Sequence, residues 1–116
     1  MKRQRAEQRG RAAETLAAWY LRFKGYRILA RRVRTPMGEV DLIARRGGTV
    51  AFIEVKARAT EAELALAIDE YRLRRVAAAV NALAPRFARA NDLIRIDVML
   101  VAPGRWPRHL ENVWHG

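Results

Sequence analysis

Residues 38–56 read Gly38-Glu39-Val40-Asp41-Leu42-Ile43-Ala44-Arg45-Arg46-Gly47-Gly48-Thr49-Val50-Ala51-Phe52-Ile53-Glu54-Val55-Lys56. Two strand-like runs, 39–45 and 49–57, flank Gly47-Gly48, a strong signal for a hairpin closed by two residues. With those glycines at the tip, Arg46 faces Thr49, Asp41 falls opposite Glu54, and Glu39 falls opposite Lys56. Opposed residues share a face and successive residues alternate. One face then carries Glu39, Asp41, Glu54 and Lys56, continued toward the turn by Ile43 and Phe52. The other is wholly apolar: Val40, Leu42, Ala44, Ala51, Ile53 and Val55. A one-residue slip would scatter both sets, whereas a four-residue loop on the same centre would keep them.

The polar quartet is costly. In this register the Asp41 and Glu54 Cβ atoms lie about 4.5–5.5 Å apart, where like charges repel. One carboxyl resists ionisation unless a cation sits between them. Three carboxylates and a lysine on one patch suit a hard divalent cation, magnesium or manganese, beside a phosphate substrate. The same residues also fit a solvated sheet face with one ion pair, Glu39 to Lys56. A central position for the 49–57 strand favours use over decoration, because a Lys and a Glu are expensive among Val50, Phe52, Ile53 and Val55 unless they do something.

Outward from the hairpin, the chain reads as one domain over 1–116, with no repeat, low-complexity linker or shift of composition. Residues 1–11 are basic and fit either a mobile N-terminal arm or the first turns of a helix. Apolar residues at Ala13, Leu16, Ala17, Tyr20 and Phe23 have helical spacing, and Gly25 ends that helix. A strand over 26–33 follows, with Pro36 and Gly38 punctuating the turn. After the hairpin, Thr60 and Glu63 match a capping box. Asp69 can cap a second helix that runs to about Leu83, with Val76, Val80 and Leu83 on one side and Pro85 ending it. Residues 93–101 read as a buried strand, and 109–114 as a short edge strand. Helix, three strands, helix, strand gives an α/β fold: a mixed sheet flanked by helices.

Composition narrows the function classes. The 116 residues are 51% hydrophobic, too many for a disordered polybasic tail. Cysteine is absent, which removes disulfides, thiol catalysis and cysteine-bound zinc, and fits a reducing compartment such as the cytoplasm. No apolar run approaches the length of a membrane span, and the basic N-terminus lacks the apolar core of a signal peptide. Lys and Arg total 23 against 12 Asp and Glu, a net charge of +11. Such an excess attracts polyanions, nucleic acid above all. Only Lys2, Lys24 and Lys56 are lysines, so in an arginine-rich chain the lysine beside the paired carboxylates stands out.

Asp41 followed thirteen positions on by Glu54-Val55-Lys56, after a helix carrying Glu14, resembles the PD-(D/E)xK nuclease signature. More closely, the chain resembles the YraN-like family of small bacterial proteins, related in fold to archaeal Holliday-junction resolvases. The resemblance is carried by Ala13-Glu14 with Ala17, Tyr20-Leu21, Gly25-Tyr26, Ile28-Leu29, the run Gly38 to Ala44, the run Phe52 to Lys56, and Arg95-Ile96-Asp97-Val98. It implies a restriction-endonuclease-like αβββαβ core and magnesium- or manganese-dependent cleavage of DNA phosphodiesters, branched DNA included. By position, Asp41 and Glu54 would bind metal, Glu14 would approach it from the first helix, and Lys56 would assist the attacking water. The chain departs from the family pattern at Ala13 (usually Gly), Arg32 (usually Asn) and Arg72 (commonly Lys). The segment 57–67 also lacks the usual glycine.

Glu39 has two readings, an ion pair with Lys56 or a hold on water at the metal. Arg72, Arg74 and Arg75 suit contacts to phosphates or a solvated helix face. Asp97 reads as an ion-pair partner of Arg95, His109 and His115 as surface residues, and Trp19, Trp106 and Trp114 as packing. A non-catalytic nucleic-acid-binding module and an interaction subunit with a basic surface are the alternatives to a nuclease. Cutting both strands leaves room for a homodimer.

Overall fold

A computed structural model of the protein describes residues 2–58 and 70–114. Helix α1 (Lys2–Phe23) is followed by strands β1 (Arg27–Thr35), β2 (Gly38–Arg46) and β3 (Thr49–Ala57), helix α2 (Glu70–Phe87), and strands β4 (Leu93–Val101) and β5 (Arg108–Leu110). The sheet order is β1-β2-β3-β4-β5. The first three strands form an antiparallel meander, and β4 joins β3 in parallel after the crossover through α2. This is the αβββαβ core expected from the sequence, with β5 added antiparallel at the edge.

The hairpin closes as its glycines require. Arg46 pairs with Thr49, leaving a two-residue loop, and Gly47 has a φ of 59° while Gly48 does not share the positive value. Positive φ at the first loop position alone is the habit of a type II′ turn, whose twist matches the flanking strands. The longer loop is thereby excluded. Residues 2–11 belong to α1 rather than to an arm. Two element ends differ from expectation. Pro85 lies inside α2, which continues to Phe87; Ala84, Phe87 and Ala88 pack on the core there, and tertiary packing outweighs one lost helix bond near the end. The edge strand is only Arg108–Leu110, although Val113 N–H still donates to the Ile96 carbonyl at 2.8 Å. The Thr60/Glu63 capping box and the Asp69 cap lie outside the described residues.

Each helix covers one face of the sheet. Leu73, Val76, Ala79, Val80 and Leu83 of α2 pack with Ile43, Val50, Phe52, Ile96, Val98 and Leu100. Ala13, Ala17, Ala18 and Leu21 of α1 pack with Leu42, Ala44, Ala51, Ile53, Met99 and Val101. The buried side of α1 keeps the expected Ala13 and Ala17 but is rotated from the expected stripe. Leu16 is 44% exposed and Phe23 89% exposed, while Glu14, Ala18 and Leu21 are buried. Alanines on the sheet side let the helix approach closely, and the large residues are turned outward.

A second difference bears on the site. Val40 lies in the α2 cluster with Ile43, not with Leu42 on the α1 side. Between the pairs Arg31–Leu42 and Val33–Val40, Arg32 and Asp41 drop out of the ladder, and Arg32 adopts a φ of 52°. That left-handed conformation costs about 1–2 kcal/mol for a residue with a Cβ and is easiest for Asn. The Asn that the resemblance implies at this position would adopt it more readily. The irregularity switches the side to which β1 and β2 point their residues, so strict alternation fails at Asp41.

Candidate active site where two strands part

The β2–β3 ladder runs from Arg46–Thr49 to Leu42–Ile53 and stops there. The register is the expected one, but the expected Asp41–Glu54 pair is not part of it. Two carboxylates at cross-strand distance would repel, and β2 leaves β3 at this point. Beyond it β3 continues to pair with β4 as far as Ala57–Val101. The Asp41 side chain bridges the gap: Val55 N–H donates to its Oδ2 at 2.8 Å. The opening between the strands is a cleft of about 460 Å³. Glu14 from α1, Asp41 from β2, Glu54 and Lys56 from β3, and Arg72 from α2 all line it.

Glycine at position 38 brings α2 to this cleft. A Cβ there would stand 3.1 Å from the Arg75 carbonyl oxygen and 3.8 Å from the Ala79 Cβ. The backbone of β2 thus lies directly under α2. Arg72 and Arg75 overhang an adjoining hollow with Glu39 and Glu54. Arg74 is exposed and lines neither cavity.

The chain's own donors occupy the carboxylates. Lys56, buried, holds its Nζ 2.7 Å from Glu54 Oε1. This replaces the Glu39–Lys56 pair expected from cross-strand register, because Glu54 lies two residues away on the same strand and face. Glu39 instead lies 3.6 Å from Arg34, in an exposed pair of little energetic weight. Glu14 is buried and accepts from Arg32 Nε at 2.8 Å. Among the described residues, no three Asp, Glu or His side chains stand in a ligating group: Glu14 and Glu54 are each turned to a cation of the chain. Asp41 has no such partner among the described residues. Burial pushes its pKa up to about 6, aided by the charges of Glu14, Glu54 and Glu39 and opposed by the Val55 N–H. The donors are hard oxygens, the type that suits magnesium or manganese, and a cation there would compete with Arg32 for Glu14 and with Lys56 for Glu54.

Reading the sequence missed Arg32 and Arg58. The first neutralises Glu14; its signal was the departure from Asn. The second lines the cleft. Three other readings change. His109 is not a surface residue: its side chain is buried, with Nε2 2.7 Å from Asp97 Oδ2. Trp19 and Trp106 are 63% and 82% exposed and are not core packing; Trp114 does pack on the core. His115 lies outside the described residues. The Arg95–Asp97 pair is present, bidentate at 2.8 and 2.9 Å.

An αβββαβ core with an acidic, lysine-bearing cleft at the fork of its hairpin defines a class of small mixed α/β proteins. The chain belongs to the uncharacterised protein family UPF0102, whose sequence profile matches residues 13–101. This is the YraN family. A UPF0102 protein of Sphingopyxis alaskensis is 68% identical over 98% of both chains. Those of Rhizorhabdus wittichii and Erythrobacter litoralis are 62% and 60% identical, over 99% and 98% of this chain and 98% of each relative. None of these names carries an activity. No helix among the described residues is long and apolar enough to cross a membrane.

Proposed function

We propose that this protein is a metal-dependent endonuclease that hydrolyses DNA phosphodiesters, branched DNA among them. The observation that carries the reading is the convergence of Asp41, Glu54 and Lys56 in one cleft at the fork of β2 and β3, beneath Arg72. Asp41 and Glu54 are the residues that would hold magnesium or manganese, with Glu14 the third candidate. Bound there, the cation supplies positive charge against the negative charge that develops on the phosphate. Lys56 is a compact ammonium at the buried end of the cleft, suited to orient the attacking water and to stabilise phosphate charge. Arg72 and Arg75, at the rim, suit the phosphates on either side of the cut bond. Glu39 flanks the cleft from the adjoining hollow.

The test is a cleavage assay with manganese on duplex, flap, junction and single-stranded DNA, with Asp41→Ala as control. Metal-dependent cutting of at least one substrate, absent in the variant, is expected. If the wild type neither cuts any substrate nor melts at a higher temperature with metal, the non-catalytic binding module becomes the better account.

Binding gives a separate expectation. With a net charge of +11, affinity for duplex DNA should fall steeply with salt, roughly −0.9 in log–log slope per phosphate contacted. Replacing Arg72 and Arg75 by Ala should flatten that slope by about two and weaken all sequences alike. Deleting residues 1–9 should weaken binding as well; an unchanged affinity and slope would show that this basic N-terminal stretch stays off the DNA.

A further inference from the structure

The outward face of α1 is unusual for a helix end. Leu16, Trp19 and Phe23 are exposed, and Trp106, 82% exposed, closes over them with Pro107 to form an apolar hollow. Trp106 also leans on Tyr20, ring centroids 6.4 Å apart at 42°. Cations frame the aromatics: Arg22 lies 5.2 Å from the centre of Trp19, and Lys24 lies 5.6 Å from that of Tyr20. This hollow is not isolated. Leu16 also lines a second hollow, floored by Val101 to Arg105, and that one shares Ala13, Ala57 and Arg58 with the acidic cleft. The three form one track along α1, from Glu14 to Phe23, roughly 14 Å at the rise of a helix.

We infer that this track is the path of an unpaired nucleic-acid strand leaving the cleft, with its phosphates on Arg58 and Arg105 and its bases stacked on Trp106 and Trp19. The inference rests on the nucleic-acid reading of the cleft and names the kind of substrate it takes. Aromatic faces interleaved with arginines are what single strands need, because every base has a π-face and stacking tolerates any sequence. A duplex could not lay its paired bases on these rings. A second copy of this chain is disfavoured, because it would set one +11 molecule, with Arg22, Arg58 and Arg105 beside the track, against another.

The test uses the full chain and fluorescein-labelled oligothymidylate, with a duplex of equal length as comparison, both read by anisotropy over a range of salt. Trp19→Ala with Trp106→Ala removes two exposed rings; far-UV circular dichroism, the melting temperature and the remaining Trp114 fluorescence report on folding. The double variant is expected to bind oligothymidylate at least tenfold more weakly, to bind duplex within twofold of the wild type, and to keep the salt slope, because stacking releases no counterions. An unchanged affinity for oligothymidylate, or an equal loss on duplex, overturns the inference. So does an acidic, aromatic-bearing peptide that binds the wild type more tightly than oligothymidylate and loses that affinity in the same variant, which would assign the track to a protein. Selective single-strand loss in a protein that cuts nothing would sink the nuclease reading and leave this one standing. Metal-dependent cutting together with unchanged oligothymidylate affinity would do the reverse.

Discussion

Asp97→Ala is expected to lower the stability of the fold by about 3–5 kcal/mol, the range for removing one partner of a buried charge pair. Asp97 sits fully buried on β4 and gathers four hydrogen bonds. Arg95 holds both of its oxygens, His109 Nε2 lies at 2.7 Å, and Asn112 N–H donates at 2.9 Å. Lys24 completes the chain, with Nζ 2.7 Å from His109 Nδ1. An ammonium can only donate, so Nδ1 accepts, and the proton of a neutral His109 stands on Nε2, facing Asp97. The carboxylate thus ties the end of α1, β4 and the C-terminal segment together. Burial alone would raise its pKa, but His109, Arg95 and the Asn112 N–H outweigh burial and hold it below the ordinary carboxylate range. A depressed carboxyl contributes stability that is present above its unfolded pKa of about 4 and disappears as pH falls through the folded value. Urea unfolding of wild type and variant from pH 7 downward checks both statements: the gap between the two should be widest near neutrality and should narrow in acid. A constant gap would mean that Asp97 acts by packing, not by charge.

This network and the cleft differ in how plainly the sequence announced them. The bounds of β3 and β4 were legible because Thr49 to Ala57 and Leu93 to Val101 are apolar runs framed by turn residues, and tertiary packing had no reason to move their ends. The hairpin register was legible for the same reason as far as Leu42–Ile53. It failed one pair later because pairing rules hold only while a ladder persists. At Asp41 a side-chain oxygen takes the place of a backbone carbonyl, and the left-handed Arg32 turns the alternation over. The helical period of α1 was legible, but its direction was not. The expected stripe shares Ala13 and Ala17 with the buried one, but takes in Leu16 and Phe23 where the fold buries Ala18 and Leu21. Close approach to the sheet favours Ala13, Ala17 and Ala18, and Leu16, Trp19 and Phe23 are left at the surface. His109 was misread because its partner Asp97 is twelve residues away on another strand, a pairing that no local pattern encodes.

Asp41 and Lys56 should separate binding from chemistry. Asp41 holds its proton to about pH 6 in the fold and to about pH 4 in the unfolded chain. Its ionisation therefore lowers the stability of the metal-free protein as pH rises through that window. At neutral pH the whole cost is present, at most about 3 kcal/mol by linkage. Asp41→Asn keeps an oxygen for the Val55 N–H and removes the charge, so without metal it should melt above the wild type at pH 7 and close to it near pH 4. With millimolar manganese the order should shrink or reverse, because the wild type gains stability by mass action and the variant does not. Equal responses of the two proteins to manganese would dismiss Asp41 as a ligand. Lys56 acts elsewhere in the scheme. Lys56→Ala leaves both carboxylates in place, and Lys56→Met fills the same volume without charge; each should keep the manganese-induced rise in melting temperature. Each should lose cleavage by 10²-fold or more, the scale on which a positioned acid–base group or charge stabiliser contributes. Methionine restoring the rate would reduce Lys56 to packing. A lost metal response in both variants would make it part of the binding site. Retained binding with lost turnover is the result that assigns the lysine to the attacking water and the phosphate.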